Sequence, residues 1–190
     1  MQPRKLIEFM AVMERMKDHT RHSWTSKGRH ESVAEHSWRT ALLALMMKDE
    51  FPDADINKVI RMCLLHDIGE AVTGDIPAFE KTEAHEEAEQ KALKELLNSL
   101  PSPWPEELRT LFAEMEALTS TEAKLYKALD RMEAILQHNE ASISTWPPLE
   151  YELNLIYGTE NAAFSPYTMA LREEMRKDTL KKIEESRKDT

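Results

Sequence analysis

Glycine and cysteine are both scarce in this 190-residue chain, which has 4 Gly and 1 Cys. The few glycines do not have the spacing of a GxGxxG, P-loop or GxSxG motif. The common signatures of dinucleotide-binding proteins, P-loop NTPases and serine hydrolases are therefore excluded. A single cysteine excludes an internal disulfide and any CxxC zinc or redox site. Because Cys63 lies in an apolar run, we expect a buried, unreactive thiol.

Long apolar runs and an excess of positive charge are also missing. The longest apolar run, residues 41–47, is far shorter than the roughly 20 residues that a membrane-spanning helix needs. Residues 1–17 have no signal-peptide pattern. Lys+Arg total 25 and Asp+Glu total 35, so the formal net charge is −10, which disfavours binding to nucleic acid or anionic lipid. We expect a soluble, cytoplasmic protein that binds neither nucleic acid nor membrane.

Helical periodicity dominates the rest of the sequence. Apolar residues such as Leu6, Phe9 and Met13 recur at three- and four-residue steps, and strand-like alternation is nearly absent. The pattern predicts an all-α fold, a helical bundle in a single domain over residues 1–190. The charge-rich last helix is predicted either to pack on this bundle or to fray. The predicted helices are 4–18, 33–49, 56–69, 83–98, 106–118, 121–141 and 166–188, with a polar loop at 18–31 and irregular chain at 142–165.

Three of the predicted helices carry a polar residue on an apolar face. His36 is in step with Val33 on the second helix, Asp67 follows His66 and continues the stripe of the third, and Asp130 lies in the stripe of the long helix. A buried carboxylate needs a cation or strong hydrogen bonds. Two imidazoles and two carboxylates suit Mn, Fe, Co, Ni, Zn or Mg. Taken singly, a histidine on a buried helix is usually a hydrogen-bonded core residue, and a mid-helix aspartate is usually a surface or salt-bridged residue.

Four segments, taken together, resemble one family. They are Glu31–Ser37, Leu65–Glu70, Thr73–Pro77 and Lys127–Asp130. Their order and spacing resemble the 5′-deoxynucleotidase (YfbR-like) and HD-domain-containing-protein-2 family of the HD-domain superfamily of metal-dependent phosphohydrolases. The resemblance covers roughly residues 6–141. It implies an all-helical bundle around one divalent metal ion (Mn, Co, Fe, Ni, Zn or Mg), a nucleotide as the small-molecule substrate and assembly as a homodimer.

The resemblance also implies roles for individual residues. Glu70 and Asp75 would serve the chemistry, with Glu70 the first choice for the acid and Asp75 the second. Arg21 would hold the substrate phosphate, and Trp24 would contact the sugar, although His22 and Ser23 separate these two residues where one branch of the family has them adjacent. The implied metal ligands are His36, His66, Asp67 and Asp130. The implied substrate contacts are Arg21, Trp24, Asp67, Asp75, Ile76, Pro77, Ala78 and Asp130, with Ala78 standing where some relatives have a hydroxyl residue.

The implied reaction is hydrolysis of a phosphate monoester. A metal-bound hydroxide, which forms near neutral pH, would attack the phosphorus of a deoxyribonucleoside 5′-monophosphate and expel the 5′ oxygen. A guanidinium would hold the dianionic phosphate, and a carboxylic acid would protonate the leaving oxygen. No covalent enzyme intermediate is needed, in agreement with the missing nucleophile motifs.

Three other functions stay open from the sequence. The first is hydrolysis of a different nucleotide phosphate ester, such as a triphosphate or a cyclic nucleotide. The second is a metal- and nucleotide-sensing module without turnover, and the third is a plain structural bundle that binds no metal. A related choice concerns His19, His22 and His30 in the loop before the second helix. Because no helical spacing holds these three, we favour a basic lip for an anionic substrate over a second metal site.

Overall fold

The protein, described as a computed structural model over residues 1–77 and 79–188, is built almost entirely of helices. A two-stranded hairpin is the exception, and two short 3₁₀ turns, Glu14–Lys17 and Ile143–Thr145, each come after a helix. The strands are β1 (Thr20–Trp24) and β2 (His30–Ser32). The helices are α1 (Pro3–Met13), α2 (Val33–Met46), α3 (Ile56–Leu65), α4 (Glu70–Thr73), α5 (Glu83–Asn98), α6 (Trp104–Ala117), α7 (Thr121–Glu140), α8 (Glu150–Ile156), α9 (Thr159–Ala162) and α10 (Pro166–Lys188).

Helix α7 is the centre of the bundle and packs against α2, α3, α6 and α10. Its apolar positions Leu125, Leu129, Met132 and Ile135 are fully buried and share one core with Met62 of α3. Each such side chain stabilises the fold by roughly 1.5–3 kcal/mol. The core therefore fixes α2, α3 and α7 relative to one another, and these are the helices from which the polar residues singled out in the sequence project.

A second, smaller core lies under α1, α5 and α6. Val33 at the start of α2 and Ile68 in the turn after α3 are buried there against Leu97 and Leu108. Since Ile68 follows Asp67 directly, this packing holds the turn that presents Asp67. The predicted all-α class is confirmed. The single-domain assignment over 1–190 stays a prediction.

The polar segment predicted as a loop is a hairpin in the structure. Thr20 pairs with Ser32 and Trp24 with His30 in antiparallel register, and Gly28 at the tip has a φ of +80°, which glycine adopts without strain. The strands are short and polar, and the side chains that they bury are those of Ser23, Glu31 and Ser32, so the sequence shows no hydrophobic alternation there. Ser32 then closes the expected capping box with Glu35 and starts α2.

The third helix is shorter than predicted. α3 ends at Leu65, and the chain turns through hydrogen bonds from Ile68 N to Leu65 O (3.2 Å) and from Glu70 N to Asp67 O (2.9 Å) before α4 begins. These three-residue bonds tighten the backbone. As a result the side chain of Asp67 lies beside that of His66, whereas in a continuous helix the two side chains would point in different directions around the axis.

The C-terminal third is also more ordered than predicted. Residues 142–165 form α8 and α9 rather than irregular chain, and α10 runs to Lys188 without fraying. Met175 and Thr179 of α10 are buried, and Asn139 of α7 bonds both of them, at 2.9 Å in each case. The charged helix therefore packs on the bundle. Within the described residues, no helix combines the length and the apolar character that crossing a membrane requires.

Candidate metal centre and active-site cavity

Four side chains, from α2, α7 and the turn that follows α3, converge on a single buried point. His36 Nε2 lies 3.2 Å from His66 Nε2 and 3.3 Å from Asp130 Oδ1. His66 Nε2 lies 3.0 Å from Asp67 Oδ2 and 3.5 Å from Asp130 Oδ1. The structure thus brings together all four residues that the sequence singled out as ligands.

The two imidazoles are oriented from behind. His66 Nδ1 donates to the carbonyl oxygen of Cys63 at 2.8 Å, and His36 Nδ1 contacts Oε2 of Glu133. With the proton of a neutral ring on Nδ1, each Nε2 is a bare lone pair. Two lone pairs facing each other across 3.2 Å repel unless a cation lies between them. The donor set therefore fits one divalent ion, held by imidazoles whose tautomer is fixed by outer hydrogen bonds.

The electrostatics of the centre favour a cation. Burial alone would lower the pKa of His66, but Asp67 and Asp130 outweigh burial and raise it to about 10, so without a metal ion this imidazole carries a proton, which metal binding would displace. Burial would raise the pKa of Asp67, yet the neighbouring His66 and His36 hold it below its usual range. Lys127 Nζ donates to Asp130 Oδ2 at 2.8 Å and leaves Oδ1 turned toward the histidines. Both carboxylates are thus charged where a metal would lie.

Glu70 and Asp75 line the cavity that opens over this centre. Burial, followed by the charges of Asp67 and Asp75, raises the pKa of Glu70 to about 9. Glu70 therefore holds its proton more tightly than a free carboxyl group does. Burial likewise raises the pKa of Asp75, although Arg21 opposes the shift.

Arg21 projects from β1 into the same cavity. Its Nη1 lies 3.7 Å from Asp67 Oδ2 and its Nε lies 3.4 Å from Oε2 of the buried Glu31. Burial would lower the pKa of Arg21, but Asp67 and Asp75 raise it, so the guanidinium stays charged. A fixed positive charge beside the metal ligands is suited to an anionic substrate group.

The remaining predicted substrate contacts divide into three groups. Ile76 and Pro77 line the cavity. Trp24 does not line it; its ring lies 4.0 Å from that of His30, and its contact with a sugar remains a prediction. Ala78 lies outside the described residues.

The loop histidines enter separate contacts. His22 lines the cavity, whereas Nδ1 of His30 lies 3.0 Å from the carbonyl oxygen of Arg21. A Cβ on Gly74 would lie 3.5 Å from Nδ1 of His19. The basic lip of three histidines therefore stays a prediction. Of the three, the structure places His22 in the cavity wall.

Sequence reasoning missed the residues that support the centre. Glu133 is fully buried and lies one turn after Asp130 on α7. This three-residue spacing puts both side chains on one face of the helix and is the sequence feature that could have identified Glu133. Glu31 begins the first of the four family-like segments, but no role was predicted for it. Burial and the charge of Glu133 raise the pKa of Glu31 to about 7. Lys127 had the same three-residue spacing, on the other side of Asp130.

A helical bundle that gathers two imidazoles and two carboxylates at one buried point is a helical metalloprotein fold with a centre for one divalent cation. The sequence profile of the HD domain matches residues 13–172, most of the chain. The protein belongs to the HD-domain family.

Relatives and solved structures agree with this assignment. The chain is 37% identical over 142 residues to the human protein "5'-deoxynucleotidase HDDC2", covering 72% of this chain and 68% of the relative, and 36% identical over 141 residues to its Bos taurus counterpart, with the same coverage. A "predicted metal-dependent phosphohydrolase" from Magnetospirillum magnetotacticum superposes with a TM-score of 0.79 at 27% identity, over 94% of this chain and 92% of that one. A conserved hypothetical protein from Pyrococcus furiosus gives 0.73 at 30% identity, over 90% and 99%.

Proposed function

We propose that this HD-domain protein is a divalent-metal-dependent 5′-nucleotidase that releases phosphate from deoxyribonucleoside 5′-monophosphates. One observation carries the proposal: Arg21 Nη1 lies 3.7 Å from Asp67, so an anion-binding guanidinium faces the four-residue centre across one cavity. The names of the relatives in human and cattle, 5′-deoxynucleotidases, support the substrate class.

His36, His66, Asp67 and Asp130 would hold the ion. When bound, a divalent ion supplies Lewis acidity toward a phosphoryl oxygen and lowers the pKa of water. The protein prepares this chemistry by burying the ligands and by directing both Nε2 atoms inward through Glu133 and the carbonyl oxygen of Cys63.

Arg21 and Glu70 would act on the substrate itself. The guanidinium of Arg21 would bind the dianionic phosphate and stabilise the charge that develops on its oxygens. Glu70, protonated because its pKa is raised to about 9, would donate a proton to the departing 5′ oxygen. Asp75, on the same cavity wall, is the second candidate for this transfer.

The nucleoside would extend along the cavity away from the metal centre. Ile76, Pro77 and Phe79 provide apolar wall, and Tyr157 and Asn154 line the cavity as well. Small-molecule sites combine apolar wall with placed polar groups, and in this cavity the polar and charged residues outnumber the apolar ones. This combination suits a sugar and base better than it suits a polymeric substrate.

Phosphate release from dAMP, dTMP, AMP and dATP, measured on one metal-replete preparation with parallel metal analysis, tests the proposal. We expect turnover of the deoxyribonucleoside monophosphates in at least one of Mn, Co, Fe, Ni, Zn or Mg. Asp67→Ala should lose metal and activity together. Preference for dATP would assign a different phosphate ester, tight dAMP binding without phosphate release would assign a sensor, and absence of bound metal would leave a structural bundle.

The proposal includes a cytoplasmic homodimer. The apolar side chains of Leu6, Ile7 and Met10 on α1 and of Trp38 and Leu42 on α2 are exposed, and exposed apolar surface of this kind is typical of association sites. The unpaired Cys63 suits a reducing compartment. Light scattering of the eluting protein tests the dimer, and cell fractionation tests the location.

A further inference from the structure

Three side chains outside the four-residue centre converge on a second point of the cavity. His22 Nε2 of β1 lies 2.9 Å from Oε1 of Glu150 at the start of α8. His138 Nε2 of α7 lies 3.6 Å from the same oxygen. One ligand atom from each residue lies within 4.8 Å of the other two. We propose that His22, His138 and Glu150 form a second, separate cation site for a transition-metal ion such as zinc, cobalt or nickel.

The spacing of the donors fits such an ion. Metal–ligand bonds of about 2.0–2.1 Å in tetrahedral geometry place neighbouring donor atoms about 3.3 Å apart, and the two observed separations, 2.9 and 3.6 Å, lie on either side of that value. Two imidazoles and one carboxylate are a common ligand set for zinc with an open fourth position. Here that position would face the cavity, which all three residues line.

The charges and burial of the three residues also favour a cation. Burial outweighs the charge of Glu150 and lowers the pKa of His138 to about 4, so its imidazole is neutral at physiological pH. Burial would raise the pKa of Glu150, but the hydrogen bond with His22 and the nearby His138 lower it. Glu150 is 1% exposed, so its negative charge is buried, and a cation bound at Oε1 beside the two imidazoles would offset that charge.

The second site is distinct from the first. His138 lies eight residues after Asp130 on α7, which is about 12 Å along a helix axis, and His22 and Glu150 come from elements that give no ligand to the first centre. A cation there would tie β1 to α7 and α8. The inference does not depend on the proposed hydrolysis, because it concerns metal binding alone.

Cobalt binding by chelator-treated full-length protein tests the site. We expect His138→Ala and Glu150→Gln each to bind one equivalent less cobalt than the wild type, and to lose part of the visible cobalt spectrum. Tyr157→Phe, which alters the same wall without removing a donor, should match the wild type. Asp67→Ala should lose the first centre and retain the second equivalent.

The result that overturns the proposal is equally direct. If folded His138→Ala and Glu150→Gln bind as much cobalt as the wild type, with the same spectrum, the three residues are a hydrogen-bonded network and hold no ion. The same conclusion follows if these variants bind as much cobalt as the wild type and differ from it only in their preference among nucleotide bases. Because His138 and Glu150 are buried, His22→Ala, at the more exposed position, repeats the measurement should either variant fail to fold.

Discussion

Glu133 contacts His36 on the side away from the metal centre, through Glu133 Oε2 and His36 Nδ1. Both side chains are fully buried, and Arg39 Nη1 lies 3.7 Å from the other carboxylate oxygen. A carboxylate behind a ligating imidazole fixes the ring and increases the basicity of the nitrogen that faces the metal. Glu133 is therefore assigned a positioning role.

Replacing this carboxylate should weaken metal binding without unfolding the protein. Glu133→Gln keeps the shape and an acceptor for His36 but removes the charge, and we expect metal affinity to fall about 10–100-fold. Competition with a chromogenic chelator measures it. The control is Glu140→Gln, which removes the exposed partner of Arg39 on the same helix. If the two variants bind the metal with equal affinity, Glu133 does not support the metal site.

Glu70→Gln should separate turnover from metal binding. The amide cannot donate the acidic proton that a carboxyl with a pKa of about 9 carries, so we expect kcat to fall roughly 10²–10⁴-fold with the metal content unchanged. Steady-state phosphate release with metal analysis measures both. Glu87→Gln on the exposed face of α5 is the control. Full activity in Glu70→Gln would transfer the role to Asp75, which Asp75→Asn then tests.

Arg21→Gln should weaken handling of the phosphate. The variant removes the charge beside Asp67, and we expect kcat/KM to fall about 10²–10³-fold while the metal stays bound. Arg29→Gln, which removes an exposed arginine paired with Glu35, should keep near wild-type kinetics. Unchanged kinetics in Arg21→Gln would place the substrate phosphate elsewhere.

Two glycines with positive φ should differ in their tolerance of alanine. A Cβ on Gly158, at φ +73°, would lie 2.7 Å from Cβ of Arg131, whereas a Cβ on Gly28, at φ +80°, would have nothing within 4 Å. We expect Gly158→Ala to lower the free energy of unfolding by roughly 2–4 kcal/mol, from strain and overlap together. Gly28→Ala should cost about 1 kcal/mol from backbone strain alone. Urea denaturation measures both, and equal losses would show that the overlap relaxes freely.

The thiol of Cys63 should not react with thiol reagents in the folded protein. Cys63 is fully buried, and burial, with the nearby charge of Asp130, raises its pKa, so little reactive thiolate forms. At pH 8 we expect negligible reaction with a thiol-specific disulfide reagent until denaturant is added, after which one thiol reacts. Rapid labelling of the native protein would mean that the core around α3 opens readily.

The convergence of the four candidate metal ligands could be predicted because helical spacing makes these residues conspicuous. Asp67 and Asp130 interrupt apolar stripes, and a carboxylate in a core position demands an explanation. His36 follows a capping box that fixes where its helix starts. The structure added the direction of each side chain, since the turn after Leu65 that places Asp67 beside His66 depends on tertiary packing of Ile68.

Other parts could not be predicted because their cause is non-local. The hairpin has too few apolar side chains to show a period of two. Glu150 meets His22 across 128 residues of sequence, through a segment that carries little periodic signal. Glu133 lies three residues after Asp130 on α7, but the residue that it contacts, His36, comes from another helix, so the spacing alone does not show what Glu133 does.

The direct passage from β2 into α2 has a further consequence. Ser32 both ends the strand and caps the helix, and it pairs with Thr20, the neighbour of Arg21, so the strand pairing sets the distance between Arg21 and His36. The turn around Gly28 lies beyond the last paired residues, Trp24 and His30. Insertions or deletions at that turn would leave the separation between guanidinium and imidazole intact, so the protein can acquire a new surface there without relocating its reactive groups.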